Sequence, residues 1–565
     1  MLERLQRVTQ RLETEPDVLR VLSLANATDV TGQDGEIIVG RLYDEVPRDS
    51  MEIAALRERL RQHPTYGDAL VSVDGRATAV LVFFEAIDDQ QFVKRNVSEN
   101  LARIARDAAG VPVHVTGTPH IKAQLSRTIV AELAVILPAV CAITALLCAL
   151  AFRSVRGVVL PLSAIAMSLF WTLGAMGWVG TPLNLVSNII PPLLITLGFA
   201  GAMHMMSEYY EALRHQSPHD GQHDRVANTA AVVSTLEEMG LAMLANGLTT
   251  MLGFLSLCTS TVLAIRQFGF WSVVGVAAAT LTSLALIPAA LVLLGPPPRR
   301  PRVVQRNAID RFAAAIGEFD MRHRRGIFVT AGILLAIACV GMTRIEVSSS
   351  FVGSFIRASP IRQTFDALNS RMQGLSSFYV VVQSDENEAF TRPENLRELA
   401  SLQAWLEAQP EIASTASLVD SVMVLNRAFE ANDPAAFTIP KRASQVQELL
   451  LFGGTELTDG VVDARYRAAN ITVRSKVSGS AEIRALLERL DTRLAQLPQR
   501  LRARATGDLV LLSHTMDDIT RGMLSSSLTA FITIYLTLAV LLTSLRVGFY
   551  ALLPNLVPVA MYYGA

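Results

Sequence analysis

The feature that most constrains this chain is a set of eight apolar runs, near residues 128–152, 157–178, 184–206, 239–260, 268–294, 326–343, 523–543 and 547–565. A helix needs about 20 mostly apolar residues to cross the hydrocarbon core of a bilayer, and each run has roughly that length. They fall as a cluster of five, then one, then two. Composition points the same way: 51% of the residues are hydrophobic and 18% charged, where soluble chains average roughly 45–50% and about 25%. The expected class is an α-helical polytopic membrane protein with water-exposed domains between its spans.

Arginine in the short connections sets the orientation. Arg153 and Arg156 join the first two runs, Arg546 joins the last two, and Arg299, Arg300, Arg302, Arg306, Arg311, Arg322, Arg324 and Arg325 lie between the fifth and sixth. Strict alternation puts all three connections on one side, expected to be the cytoplasm, together with the polar stretch 207–238. Residues 1–127 and 344–521 then face the other side. The second of these reads as a strand at 378–382, a helix at 393–408, strands at 412–418 and 468–473, a helix at 480–496 and a strand at 501–506. That is a doubled β-α-β order with an insertion, as in a ferredoxin-like fold. The first gives the same order from its first helix onward: helix 2–14, with Leu2, Leu5, Val8 and Leu12 on one face, strands 18–24 and 79–84, helix 89–109 and strand 111–116. The opening helix is charged and amphipathic, unlike a signal peptide.

Internal repetition is common in transporters. Thr116-Gly117 matches Thr506-Gly507, Ser154 and Arg156 match Ser544 and Arg546, and Gly174-Ala175 matches Gly564-Ala565, all at one offset of 390 residues. Nearer the start the offset is 394, with Pro16 against Pro410 and Ser23-Leu24 against Ser417-Leu418. The expected organisation is a two-fold internal repeat of one span, an α+β domain and five spans. On that pattern one span is expected before Met1 and three after Ala565, so the chain reads as cut at both ends. Its parts are a first α+β domain (1–127), a five-helix membrane region (128–295), an Arg-rich linker (296–325), a span (326–343), a second α+β domain (344–521) and two spans (522–565).

This order resembles the resistance-nodulation-division (RND) superfamily, and the local sequence is most similar to its MMPL and Patched-like exporter branch. The resemblance covers essentially the whole chain. Its most specific pieces are FRSVRG (152–157), NGLTTMLGFLSL (246–257), IRQFGF (265–270), the IPAALVL run and LLPNLVPV (552–559). It implies porter-type extracytoplasmic domains, a sterol-sensing-like five-helix region, a place in the bacterial inner membrane, and proton-coupled export of lipids or other hydrophobic molecules.

The resemblance also implies an aspartate, four residues before a histidine on the fourth span of each half, that relays protons. Placing His204 on that histidine puts Ala200 at the aspartate position, so the relay acid is missing from this half. Gly198, Ala200, Gly201 and Ala202 make a small-residue surface suited to close helix approach. His204, a side chain of the kind that carries protons, reads as a proton-relay group or as an anchor near the span's end. Asn246, Thr249 and Thr250 share one face of the next span, and read either as interhelical hydrogen-bonders or as relay neighbours. Arg127 and Glu132, and in the second half Asp517, Asp518 and Arg521, sit where spans meet the outer domains, as boundary charges or as coupling groups.

Other chemistries find little support. His215, His219 and His223 are spaced by four, but Pro218 and Gly221 break any helix that would align them on a metal. There is no phosphate loop, and no nucleophile motif stands out, so neither a cofactor nor an enzyme activity is expected. Cys141, Cys148, Cys258 and Cys339 all lie in apolar runs and read as packing residues. A net charge of −1 gives no field for nucleic acid. The expected partners are membrane lipids and a hydrophobic substrate; a periplasmic partner or a homo-oligomer stays open. Two functions from different classes fit: a proton-driven exporter, or a lipid-binding regulator that does not transport, with an inactive fragment as the third reading.

Overall fold

The computed structural model describes residues 1–564 apart from 34–35, 44, 63–69, 73, 86, 185, 217–224, 296–307, 343–355, 373, 375, 454–456, 459 and 478. Two compact units emerge: residues 1–125 with 347–517, and residues 126–346 with 518–565. Each is assembled from two separate stretches of chain.

The N-terminal stretch opens with α1 (Leu2–Glu13), whose Leu5, Val8 and Leu12 are buried. Strand β1 (Val18–Leu22) pairs antiparallel with β4 (Leu81–Phe84). Between them lie a hairpin, β2 (Thr28–Gln33) and β3 (Glu36–Arg41), and helix α2 (Ser50–Gln62), which are additional to the elements expected there. The helix expected at 89–109 is two, α3 (Asp89–Lys94) and α4 (Val97–Ala109), interrupted where Asn96 takes a left-handed φ of 54°. The strand expected at 111–116 does not form. Gly110 ends α4 in a left-handed conformation, and Pro112 offers no N–H to a ladder.

Apolar helices follow: α5 (Thr118–Phe152), α6 (Val155–Val179), α7 (Ile190–Gln216), α8 (Arg225–Ser256), α9 (Leu263–Leu281), the short α10 (Ile287–Leu294) and α11 (Ala308–Met342). A π-helical turn, Thr282–Leu286, joins α9 to α10 within one apolar span, Leu263–Leu294. Helices α6 to α10 pack on one another, while α5 reaches their core through Cys148 and Phe152.

The second α/β stretch contains α12 (Pro360–Met372), β5 (Ser376–Gln383), α13 (Pro393–Glu407), β6 (Ile412–Ala416), α14 (Leu418–Phe429), α15 (Ala443–Phe452), β7 (Ala468–Ser475), α16 (Ser480–Leu494) and β8 (Arg502–Thr506). Its four strands lie in the order β6-β7-β5-β8, every neighbouring pair antiparallel. One face of the sheet, with Phe378, Val380, Val382, Ile471 and Val473, is buried against Leu396, Leu399 and Leu402 of α13 and Ile483, Leu486 and Leu490 of α16. Alternation along β5 and β7 makes this possible, since successive side chains point to opposite faces. The chain then enters α17 (Asp508–Leu541) and α18 (Leu545–Gly564), the latter packed on α11.

Among the described residues seven helices are long and apolar enough to cross a membrane. The run expected at 523–543 falls in α17, whose apolar part, Ser525–Leu541, is shorter than the other spans.

The β2–β3 hairpin leaves its own stretch and packs on α14. Val30 is 2% exposed and belongs to the core of the second stretch. Just beyond α14, the Asn432 side chain donates to the Gly32 carbonyl at 2.7 Å and accepts from the Gly32 N–H at 2.9 Å, closing both backbone groups of an edge residue. A Cβ on Gly32 would collide with the Ala428 carbonyl. Gly32→Ala should therefore cost about 1–3 kcal/mol through overpacking, and Asn432→Ala about 1–2 kcal/mol through two lost hydrogen bonds. Denaturant unfolding of the solubilised chain, followed by a probe in the α/β unit, checks both.

Helix α14 begins with a capping box, in which Ser417 receives the Val419 N–H and Asp420 receives the Ser417 N–H at 2.8 Å. Gln403 donates to Asp420 at 2.9 Å. Burial raises the Asp420 carboxyl above its ordinary 3.8 despite these bonds. A carboxyl whose folded pKa is raised favours the native state while it stays protonated, and that contribution is lost as pH climbs from 3.8 through the raised value. Asp420→Asn keeps an acceptor in the box and should flatten this loss. Melting temperatures of both proteins from pH 4 to 7 should converge at the acid end and separate, variant above parent, as pH rises.

Candidate functional site

Helix α7 starts from a short 3-10 turn, Ser187–Ile189, where the Asn184 side chain accepts from the N–H groups of Val186 and Ser187 at 3.0 and 2.9 Å. Pro191 and Pro192 follow in the first helical turn, where no N–H partner is needed. The small residues predicted to form one packing surface divide between faces. Gly198 and Ala202, one turn apart, are buried, and a Cβ on Gly198 would stand 3.2 Å from Ile165 of α6. Gly201 faces Met243 of α8 and Ser283 of the π-helical turn. Ala200 points outward from the protein, and so does His204 one turn on.

Thr196, Ala200, His204, Ser207 and Glu211 thus form an exposed stripe along α7. On α8, Asn246 is exposed and Thr249 and Thr250 are half-buried. Both hydroxyls donate to the Asn246 carbonyl, at 3.0 and 2.8 Å, within their own helix. They satisfy themselves on the backbone, and among the described residues no interhelical bond is seen for either. Contact between the Gly201 level of α7 and Met243 puts Asn246 within about one turn of Ala200 in height.

A second polar group, which reading the apolar runs did not bring out, lies at the other end of these helices. Tyr209 of α7 donates to the Asn228 side chain of α8 at 2.7 Å, and Asn228 donates to the Leu291 carbonyl of α10 at 3.1 Å. Asn228 is 1% exposed. Beside it the FRSVRG turn closes the bundle. Arg153 takes a φ of 48°, Ser154 caps α6 by accepting from the Gly157 N–H and pairs with the Tyr210 hydroxyl at 2.8 Å, and Arg156 donates to the Gly295 carbonyl at 2.8 Å. The rings of Phe152, Tyr210 and Tyr209 stack in series at 5.6 and 5.3 Å. The signal for Asn228 was weak because the span was expected to begin at 239, leaving residue 228 in a polar connection.

Arg127 is half-buried, while Glu132 and Asp518 are exposed; the Asp517 and Arg521 side chains lie outside the described residues. The boundaries between the two units, at 125/126 and 517/518, fall inside α5 and α17. Of the three histidines considered for a metal, His219 and His223 lie outside the described residues, and no His, Cys, Asp or Glu group able to hold a metal occurs among the described ones.

The model of the MMPL family matches residues 1–320. A membrane protein of Methanocaldococcus jannaschii is 26% identical over 261 residues, which is 46% of this chain and 64% of that protein. One from Streptomyces coelicolor is 25% identical over 374 residues, 65% of this chain and 40% of its own length. The chain matches less than two thirds of either relative.

Removing Asn228 leaves the Tyr209 hydroxyl and the Leu291 carbonyl unpaired in a buried place. Asn228→Ala should destabilise the solubilised protein by about 1–3 kcal/mol, whereas Asn246→Ala on the open stripe should stay within about 0.5 kcal/mol. Thermal unfolding of the two variants side by side measures the contrast.

Proposed function

This chain belongs to the MMPL family and is a multi-pass membrane protein of RND transporter type, and on that premise we propose that it exports a lipid or another hydrophobic molecule from a bacterial inner membrane, driven by the proton gradient. The observation that carries the reading is the extent of the family match, which takes in the N-terminal α/β stretch and the five membrane helices that follow.

In this proposal both α/β stretches lie on the extracytoplasmic side, opposite the arginine-bearing connections, and act as ferredoxin-like porter domains. The strand order β6-β7-β5-β8 supports that assignment for the second. The two-fold repeat draws support from backbone geometry: Gly117 and Gly507, 390 residues apart, take φ of 122° and 113°, and Arg153 and Thr543, at the same offset, take 48° and 50°. Left-handed φ at a non-glycine residue is uncommon, so its recurrence at matching turns is informative. Substrate binds along the α/β unit, and a periplasmic partner or a second copy of the chain completes the path.

Proton coupling through this half rests on His204, which shares an open stripe with Ala200 and stands one helix from Asn246, Thr249 and Thr250. Ala200 also favours a second reading, a sterol-sensing-like regulator that binds lipid without moving it, because a relay on this face has no carboxylate at that position. Proteoliposomes holding a fluorescent lipid analogue separate the two. The exporter moves the analogue faster under an imposed pH gradient, and His204→Ala drops the rate to the level without a gradient. Binding of the analogue with no gradient-dependent movement supports the regulator, and an unchanged rate in His204→Ala removes the relay role.

A further inference from the structure

Helix α11 is broken at His323, which leaves helical geometry at φ −110° and ψ 19°. The break is closed locally: the His323 ring stacks on Phe319 at 4.5 Å, and its Nδ1 lies 3.2 Å from the Phe319 carbonyl. After the break, residues 326–342 form the apolar span. Before it the sequence changes character. Ile316, Phe319 and His323 recur at steps of three and four, which is one face of a helix. Glu318, Arg322 and Arg325 fall on the opposite face.

Among the described residues nothing covers this apolar face, and every residue from 314 to 330 is exposed. Ile316 and Phe319 are 44% and 56% exposed. Such a stripe in bulk water is unfavourable, and connectivity says what meets it. Phe319 is only seven residues from the start of the apolar span, about 10 Å of helix, so it lies at the edge of whatever bilayer holds that span. A helix with a narrow apolar stripe and an arginine-bearing polar face settles in the plane of that edge, stripe toward the acyl chains. Arg322, Arg324 and Arg325 bracket the break, at the depth of the lipid phosphates, where a planar guanidinium donates two hydrogen bonds to phosphate oxygens.

We propose that residues 314–325 are an interfacial elbow, with its apolar stripe seated in the bilayer and Arg322, Arg324 and Arg325 on anionic phospholipid headgroups. The inference rests on 326–342 being a span. It assigns the end of α11 a lipid contact that sets the depth and direction of the helix, independent of any transported molecule.

Spin labels test this in the full chain with its four cysteines replaced by serine, reconstituted in phosphatidylcholine alone or mixed with phosphatidylglycerol. Labels are placed singly at Phe319→Cys, Glu318→Cys and, as a control within the span, Ile333→Cys. The expected result is a 319 label open to oxygen and shielded from a water-soluble nickel chelate, and a 318 label open to nickel. Phosphatidylglycerol should deepen the shielding at 319, and replacing Arg322, Arg324 and Arg325 by glutamine should abolish that gain. Nickel access at 319 equal to that at 318, or a depth at 319 indifferent to phosphatidylglycerol, overturns the proposal. So does spin–spin broadening at 319 that vanishes on dilution with unlabelled protein, which would mean a second copy covers the stripe. A 333 label open to nickel would instead defeat the membrane-spanning reading on which the proposal stands.

Discussion

Inside a bilayer no water is available to a backbone N–H or carbonyl, so each must be satisfied within the protein, and a lipid-exposed span outside a closed β-barrel is obliged to be helical. Most of what distinguishes the 126–346 and 518–565 unit follows. Its helices are long, and buried or half-buried hydroxyls such as Ser168, Thr172, Thr249, Thr250 and Thr282 donate back to carbonyls three or four residues earlier. Where a polar side chain does reach another helix, as Asn228 does, it takes a hydroxyl on one side and a helix-end carbonyl on the other. That pairing makes it a staple among three helices.

The α/β unit obeys different rules. Water satisfies its edges, so apolar burial and a few specific polar contacts decide its shape. The hairpin that crosses from the N-terminal stretch to α14 shows both: Val30 enters the neighbouring core, and Asn432 occupies the two backbone groups of Gly32. Two stretches more than 200 residues apart in sequence become one body by this contact. For an exporter of the proposed kind, such a joint makes the two α/β stretches move together.

The spans were legible because bilayer crossing demands length and apolarity, both of which survive in composition alone. Their starts were less so. Helix α8 begins at Arg225, well before the run expected at 239, because a helix end outside the hydrocarbon can be polar. The alternation of β5 and β7 was equally readable, since one face of that sheet is buried and the other is not. The residues 111–116 misled because valines at alternate positions mimic a strand, while Pro112 withholds the N–H that pairing requires. The hairpin at 28–41 carries a short signal, the run Ile37-Ile38-Val39 after Asp34-Gly35, which a reading built on membrane-length runs passes over, and its packing partner lies in another part of the chain. Of the candidate site, the shared face of Ala200 and His204 could be drawn from helical period. Its exposure could not, because that depends on which neighbours pack against the opposite side.

The central claim is that one MMPL-type chain threads the membrane so that both α/β stretches emerge on the same face. Membrane-impermeant thiol labelling in sealed, right-side-out spheroplasts tests it directly, using single cysteines at exposed Asp107 and Asp385 in the two stretches and at exposed Glu237, just ahead of the apolar part of α8. The account predicts labelling at 107 and 385 in intact cells, and at 237 only after the membrane is opened. Labelling of 107 and 385 from opposite sides would contradict it.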